Sequence, residues 1–278
     1  MNDNNELKEM VRQKYTAIAN QEVSVNRSSC CGAGECSTEV YNIMTDDYSP
    51  MDGYVPDADL GLGCGLPTEF AGIKEGDTVV DLGSGAGNDA FVARAATGAD
   101  GRVIGIDFSE AMITKAKANA AKLDYGNVEF RLGDLENIPM KSEMADVVVS
   151  NCVLNLVPDK PRVFSEMFRI MKVGGHFSVS DIVLEGELPE AIRQAAEMYA
   201  GCVSGAIQKG TYLDLISKAG FVDITVQKEK VIFIPDDILL KYMDKDQIET
   251  FRSGSTGIYS ITVFGRKAEA CCGDGCCA

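Results

Sequence analysis

The run Val79-Val80-Asp81-Leu82 leads directly into Gly83-Ser84-Gly85-Ala86-Gly87 and then Asn88-Asp89, and this junction limits the possible folds more than any other stretch. The Glu75-Gly76-Asp77 turn and the aliphatic residues after it predict a buried strand over Thr78–Leu82. Glycines at alternate positions allow a tight turn and close approach of a ligand to the backbone. A helix is expected to follow from about Asn88. Strand, glycine turn and helix in that order form the ligand-carrying junction of an open α/β sheet, at the carboxyl end of its strands.

The plan then repeats. "RVIGID" predicts a strand over Arg102–Asp107, followed by a helix with Ser109 as N-cap. "NVEFRLGD" and "ADVVVSN" give a third and a fourth strand. A helix over about 160–172 is closed by Gly174-Gly175, and "HFSVSDIV" is a fifth strand. Strands alternating with helices predict a doubly wound, mostly parallel α/β sheet. Upstream, Leu7, Met10, Val11, Tyr15 and Ile18 have helical spacing, whereas residues 26–68 are irregular and rich in Gly, Ser, Asp and Pro. After Pro189 a helix over 190–200, the loop around "GCVSGA", a helix in "TYLDLISKAG" and the strands "DITVQKEKVIFI" and "IYSITVFGRK" predict a smaller C-terminal α+β unit. Its strands are candidates to extend the same sheet. The expected division is 1–70 (N-terminal helix and irregular segment), 71–186 (ligand-binding α/β domain), 187–267 (C-terminal unit) and 268–278, a flexible cysteine-rich tail.

Acidic residues outnumber basic ones by 42 to 26, a net charge of −16 that repels phosphate backbones and argues against nucleic acid as a partner. No apolar run is long enough to span a bilayer, and no basic-then-apolar leader opens the chain. The expectation is a cytoplasmic protein with no membrane association, and a monomer. Ten cysteines are unusual in that compartment, where thiols stay reduced. Cys30, Cys31 and Cys36 cluster near the start and Cys271, Cys272, Cys276 and Cys277 near the end; only Cys64, Cys152 and Cys202 stand apart. His176 is the sole histidine, so imidazole chemistry has little to draw on, and any metal or metalloid chemistry must use thiolates.

At the glycine junction, Gly83, Gly85 and Gly87 are expected to admit a ligand, with the helix N-terminus favouring its anionic or polar groups. Asp107, ending the second strand, is positioned to bond ribose hydroxyls. Gly133-Asp134-Leu135 ends the third, where Asp134 can accept from an adenine amino group while Leu135 covers the ring. Asp81 orients the loop or meets an ammonium group, and Ser84, Phe108, Met112 and Asn151 complete the expected lining. A dinucleotide site would call for an uninterrupted G-x-G-x-x-G, but Asn88 occupies the last position. The D-x-G-x-G-x-G start and the later Gly-Asp pair instead resemble class I S-adenosylmethionine-dependent methyltransferases, which are Rossmann-like.

Cys152 follows the fourth strand, whose carboxyl end faces the same crevice. Cys64 lies in "LGLGCGLPTE" and Cys202 in "YAGCVSGA". A single cysteine is ordinarily a small buried hydrophobe. All three of these, however, fall at loops or strand ends, where they could converge above one donor site. His176 reads as structural, Glu185, Glu187 and Glu190 as a solvated acidic face, and Tyr15 as either core or cofactor contact.

"ADLGLGCGLPTE", "VVDLGSGAGND", "SNCVLNLVPDK", "SDIVLEGELPE" and "AGCVSGAIQKGTYLDLISKAGF" together closely resemble the arsenite S-adenosylmethionine methyltransferases, over roughly Val11 to Lys267. The resemblance implies S-adenosylmethionine as methyl donor and As(III) held by thiolates of Cys152 and Cys202, with Cys64 as a third thiol. It also implies an N-terminal cysteine paired with Cys64; Cys30, Cys31 and Cys36 all remain open for that role.

The residue inventory agrees with that chemistry. Trivalent arsenic is soft and prefers thiolates, and three sulfurs leave its lone pair facing away from them. In-line methyl transfer to that lone pair needs positioning more than acid–base help, which suits a chain with one histidine. Methylation takes As(III) formally to As(V). Two thiols closing to a disulfide can return the electrons, and thioredoxin or glutathione can then reduce it. Cys64 with one N-terminal thiol is the expected pair. Two other readings are a methyltransferase for a carbon, nitrogen or oxygen nucleophile with incidental cysteines, and a thiol-rich metalloid-sequestering protein. The "CCGDGCC" tail fits arsenic delivery or a dispensable metal-binding appendage.

Overall fold

The computed structural model describes residues 2–21, 46–187, 205–233, 236–240, 243–253 and 256–268. In chain order the elements are α1 (Asn2–Asn20), α2 (Pro67–Phe70), β1 (Thr78–Leu82), α3 (Asn88–Thr97), β2 (Arg102–Asp107), α4 (Glu110–Lys122), β3 (Val128–Leu132), β4 (Ala145–Asn151), α5 (Lys160–Ile170) and β5 (Met171–Glu185). Next come β6 (Ile207–Gln208), α6 (Lys209–Lys218), β7 (Phe221–Val231), α7 (Asp236–Leu239), α8 (Lys245–Ser253) and β8 (Gly257–Lys267). The helix expected over 190–200, the N-terminal cysteine cluster, Cys202 and the cysteine-rich tail lie outside the described residues.

Among the described residues one sheet runs in the order β3-β2-β1-β4-β5-β8-β7, with β6 alongside β5. β1 to β6 pair in parallel, while β8 is antiparallel to both β5 and β7. The doubly wound α/β expectation holds, with β7 and β8 continuing the same sheet. Period-2 alternation splits the parallel strands between two cores. Val80, Leu82, Ile104, Ile106 and Val148 pack against α5 and α6, where Phe164 meets Tyr212 edge-on at 5.5 Å. Val79, Val103, Val147 and Val149 face Phe91 of α3 and Met112 of α4 on the other side.

The largest difference from the sequence reading concerns α5. This helix ends at Ile170, and β5 begins at Met171, so Gly174 and Gly175 fall inside the strand rather than closing the helix. The register against β4 jumps from Met171 to His176 at that place, and Gly174 takes φ 79°, so the glycines form an irregularity in the strand. His176 is structural, its Nε2 2.6 Å from the carbonyl oxygen of Ala71 and its ring beside Phe264.

The neighbours of β5 change along its length. β4 pairs with it as far as Asn151 opposite Ser180, and β6 takes over only at Val183. Asp181 and Ile182 fall in the gap, where Asn155 fills part of the space by donating to the carbonyl of Ile182 at 2.6 Å. A split between parallel neighbours at the carboxyl end of a strand is where open α/β sheets make room for ligands.

Candidate active site

One cavity opens at the carboxyl ends of β1, β2 and β4. Asp81, Gly83, Ser84, Gly85, Asp107, Phe108, Met112, Asp134, Leu135, Asn151 and Cys152 all line it, as does Tyr15 of α1. Gly87 and Gly133 lie outside the lining. A side chain on Gly87 would strike Phe91 and Phe130, and one on Gly133 would strike Pro139, so these two glycines serve packing. Gly83 and Gly85 shape the loop itself, at φ 73° and 50°.

Local hydrogen bonds fix the walls. Asp107 accepts the backbone N–H of Gly85 and that of Ser109, both at 2.9 Å, and so ties the glycine loop to the N-cap of α4. Asp134 accepts from Glu136 N and pairs with Lys8 of α1 at 2.8 Å. Three buried polar atoms on the lining, Asp81 Oδ2, Ser84 Oγ and Asn88 Oδ1, have no hydrogen-bond partner among the described residues. A Cβ on Gly85 would meet nothing within 4 Å. Unsatisfied buried groups around an open cradle call for a polar ligand.

Sequence reasoning missed a second set of groups. Tyr48 donates to Asp89 at 2.8 Å, and Asn151 Nδ2 reaches Tyr48 Oη at 2.6 Å, the carbonyl of Gly65 at 2.9 Å and Asp89 Oδ2 at 3.2 Å. The network joins residues far apart in sequence, so no local pattern discloses it. Burial pushes Asp89 up to about 6, against the pull of its bonds from Tyr48, Asn151 and Thr68. Burial likewise raises Asp107 to about 6. Asp81 rises well above the usual carboxylate range through burial and the nearby charges of Asp89 and Asp107. Three clustered carboxylates favour a cationic ligand.

Cys64 and Cys152, 88 positions apart, are brought together. The chain leaves β4 through Cys152 in a left-handed conformation (φ 59°), and its N–H donates to the carbonyl of Ser180 at 2.8 Å. Strained backbone of this kind concentrates where side chains must be aimed. Cys64 is held by Asn151 Oδ1, which accepts its N–H at 3.0 Å, and by Ser260 Oγ, which donates to its carbonyl. The two sulfurs and a carboxylate oxygen of Asp181 all lie within 4.8 Å of one another, and all three residues are buried. Asp181 accepts from Ile182 N at 2.9 Å and from Tyr212 Oη at 3.3 Å, and burial raises it to about 7. The signal for it in the sequence was an acid inside the otherwise apolar or small-residue strand "HFSVSDIV". Cys202, Cys30, Cys31 and Cys36 lie outside the described residues.

Residues 73–220 match the family model described as a methyltransferase domain. An arsenite methyltransferase from Halobacterium salinarum is 40% identical over 249 residues, covering 84% of this chain and 62% of the relative. An arsenite methyltransferase from Aquipseudomonas alcaligenes is 30% identical, covering 83% of this chain and 66% of its own length. The crystal structure of an arsenic(III) S-adenosylmethionine methyltransferase from Chlamydomonas reinhardtii superimposes with a TM-score of 0.63 at 34% identity, over 74% of this chain and 68% of that one. The chain belongs to the arsenite methyltransferase family. It spans less than two thirds of the length of the two curated relatives just described, 62% and 66%. Family membership agrees with the Rossmann-like fold and with the resemblance read from the "SNCVLNLVPDK" block. Among the described residues no helix is long and apolar enough to cross a membrane.

Proposed function

We propose that the chain transfers methyl groups from S-adenosylmethionine to trivalent arsenic held by cysteine thiolates, a detoxifying reaction carried out in the cytosol. The observation that carries the reading is the adjacency of Cys64 and Cys152, one lining the cavity and the other directly beside it. Two sulfurs so close suit a soft trivalent ion better than a carbon, nitrogen or oxygen nucleophile, which would ordinarily need a base beside it.

The lining suits the donor. Asp81 Oδ2, Ser84 Oγ and Asn88 Oδ1 offer buried partners for an amino-acid ammonium and carboxylate. The acidic wall of Asp81, Asp89 and Asp107 favours a ligand with a positive sulfonium. Asp107 keeps lone pairs for ribose hydroxyls, and Leu135 offers an apolar surface to the adenine ring. When bound, the donor supplies a methyl group activated by sulfonium sulfur.

The chain's own part is to hold arsenic still. Thiolates of Cys64 and Cys152 bind it, Cys202 adds a third sulfur, and Asn151 fixes the backbone of Cys64 relative to β4. Burial of both cysteines keeps bulk water away from the sulfur–arsenic bonds. After transfer, two electrons return to arsenic as two thiols close to a disulfide. Cys64 with one of Cys30, Cys31 or Cys36 is the proposed pair, and a thioredoxin-like protein or glutathione the reductant.

The test is product speciation from arsenite and S-adenosylmethionine with the thiol reductant varied. Methylated arsenicals are expected, with turnover limited by reductant. Both Cys152→Ser and Cys202→Ser should abolish product. Cys64→Ser should fail on arsenite yet retain methylation of monomethylated arsenite. Absence of any methylated arsenical, with donor binding intact by calorimetry, would refute the reading.

A further inference from the structure

We infer that Asp181 is a specificity-determining residue that accepts a hydrogen bond from the hydroxyl left on arsenic after Cys64 and Cys152 have captured it and before Cys202 supplies the third sulfur. This rests on the proposed arsenic chemistry and deepens it by naming the form of substrate the two-thiol site selects.

The balance of the capture step defines what must be accommodated. Arsenous acid carries three hydroxyls. Each thiol forms an S–As bond as one As–O bond breaks, and the thiol proton leaves with the hydroxyl as water, so no electrons change hands. Two thiols therefore leave a bis-thiolate arsenical with one As–OH. An organoarsenical with one carbon substituent loses both its hydroxyls in the same two steps and keeps none.

The place around the two sulfurs is built for that remaining hydroxyl. A carboxylate oxygen lies within 4.8 Å of both, although the surrounding cluster is apolar (Val11, Leu156, Ile182, Leu184). Asp181 lies in the gap of β5 where neither β4 nor β6 pairs with it. Its orientation is fixed by Ile182 N on Oδ1, by Tyr212 Oη on Oδ2 and by the backbone N–H of Asn155. The two carboxylate oxygens offer about four acceptor sites, so three bonds leave one for a further donor. An arsenic-bound hydroxyl beside the two sulfurs is a donor suited to that remaining site.

The geometry makes Asp181→Asn informative. Ile182 N holds the Oδ1 position, so the amide oxygen stays there and the NH₂ takes the place of Oδ2, turning an acceptor into a donor. The experiment uses the full chain carrying Cys202→Ser, so that no third thiol displaces the hydroxyl. Protection of Cys152 from a small alkylating reagent is read by peptide mass spectrometry, which separates it from the other cysteines. Arsenite and phenylarsenous acid are the two probes. Asp181→Asn should raise the half-protecting arsenite concentration about tenfold and leave that of phenylarsenous acid within about twofold. No change for either probe, or failure of arsenite to protect Cys152 with Asp181 intact, overturns the inference. If both probes weaken together, Tyr212→Phe decides, since it keeps the carboxylate and removes one of its orienting bonds. A shift confined to arsenite supports the role, and a shared or absent shift overturns it. In the chain with Cys202 intact, protection without methyl transfer would instead count against the proposed reaction while leaving Asp181 in place.

Discussion

The side-chain oxygen of Asn151 accepts the backbone N–H of Cys64 at 3.0 Å, joining two residues 87 positions apart. The same amide reaches Gly65, Tyr48 and Asp89, so one side chain ties the irregular segment before the sheet to the end of β4. There is no room to spare: a Cβ on Gly63 would lie 2.7 Å from Asn151 Nδ2.

Asn151→Ala should release that segment. With several buried partners left unsatisfied, a stability loss of about 2–3 kcal/mol is expected in denaturant titration. Arsenite turnover should fall at least about tenfold, because a misplaced thiol is costly at the reacting centre. Near-normal turnover would show that Cys64 is held by other means.

The glycine loop offers a graded pair. A Cβ on Gly83 would come within 2.3 Å of Val153 at φ 73°, whereas one on Gly85 would meet nothing within 4 Å at φ 50°. Gly83→Ala combines overpacking with backbone strain and should cost about 2–4 kcal/mol. Gly85→Ala carries the strain alone, about 1 kcal/mol, but projects a methyl group into the cavity. Thermal unfolding should rank Gly83→Ala as the less stable, while calorimetry should find donor binding weakened in Gly85→Ala.

Stability should also depend on pH in an unusual direction. Burial raises Asp107 to about 6 from its ordinary 3.8, so the folded chain binds that proton more tightly than the unfolded chain. The stability this contributes is full below about pH 4 and is lost as pH rises through about 6. Asp89, at about 6, and Asp181, at about 7, act in the same sense. Glu129, pulled down to about 2 by Arg131, loses its contribution only at lower pH. The ligand-free chain should therefore melt several degrees higher at pH 5 than at pH 7.5 in calorimetry, and Asp107→Asn should flatten the profile. A melting point that rises with pH across this window would contradict the buried-carboxylate account.

Lys8 fastens α1 across the cavity mouth by bonds to Asp134 and Glu136 at 2.8 and 2.5 Å. Partly exposed ion pairs add little to global stability, so Lys8→Ala should cost under about 1 kcal/mol. Amide exchange in α1 should nonetheless accelerate severalfold, and more so at low salt, where the wild-type pair is strongest. Unchanged exchange would mean that the other contacts of α1, among them buried Val11 and Ile18 and the bond from Lys115 to the Ala19 carbonyl, hold the helix down.

What the sequence disclosed follows from how local each signal is. The bounds of β1, α3 and β2 agree with their periodicity and glycine punctuation, since strand, turn and helix are adjacent in the chain. The end of α5 was misplaced because Gly174 and Gly175 signal a helix stop and a strand irregularity equally well. The short helices α7 and α8 between β7 and β8 gave no legible pattern. In the site, Asp81, Asp107, Asp134 and Cys152 were legible because each lies at or just beyond the carboxyl end of a strand. Tyr48, Asp89 and Asp181 were not. Their roles arise from partners at Asn151, Tyr212 and the two sulfurs, which only the tertiary fold supplies.

The central claim is that Cys64 and Cys152 hold arsenic together at the edge of the donor cavity. Anomalous diffraction at the arsenic edge, from crystals of the full chain grown with arsenite, tests it most directly. A peak bonded to both Sγ atoms beside the Asp181 carboxylate is expected. A peak confined to the N-terminal or C-terminal cysteine clusters, with Cys64 and Cys152 unbonded, would contradict it.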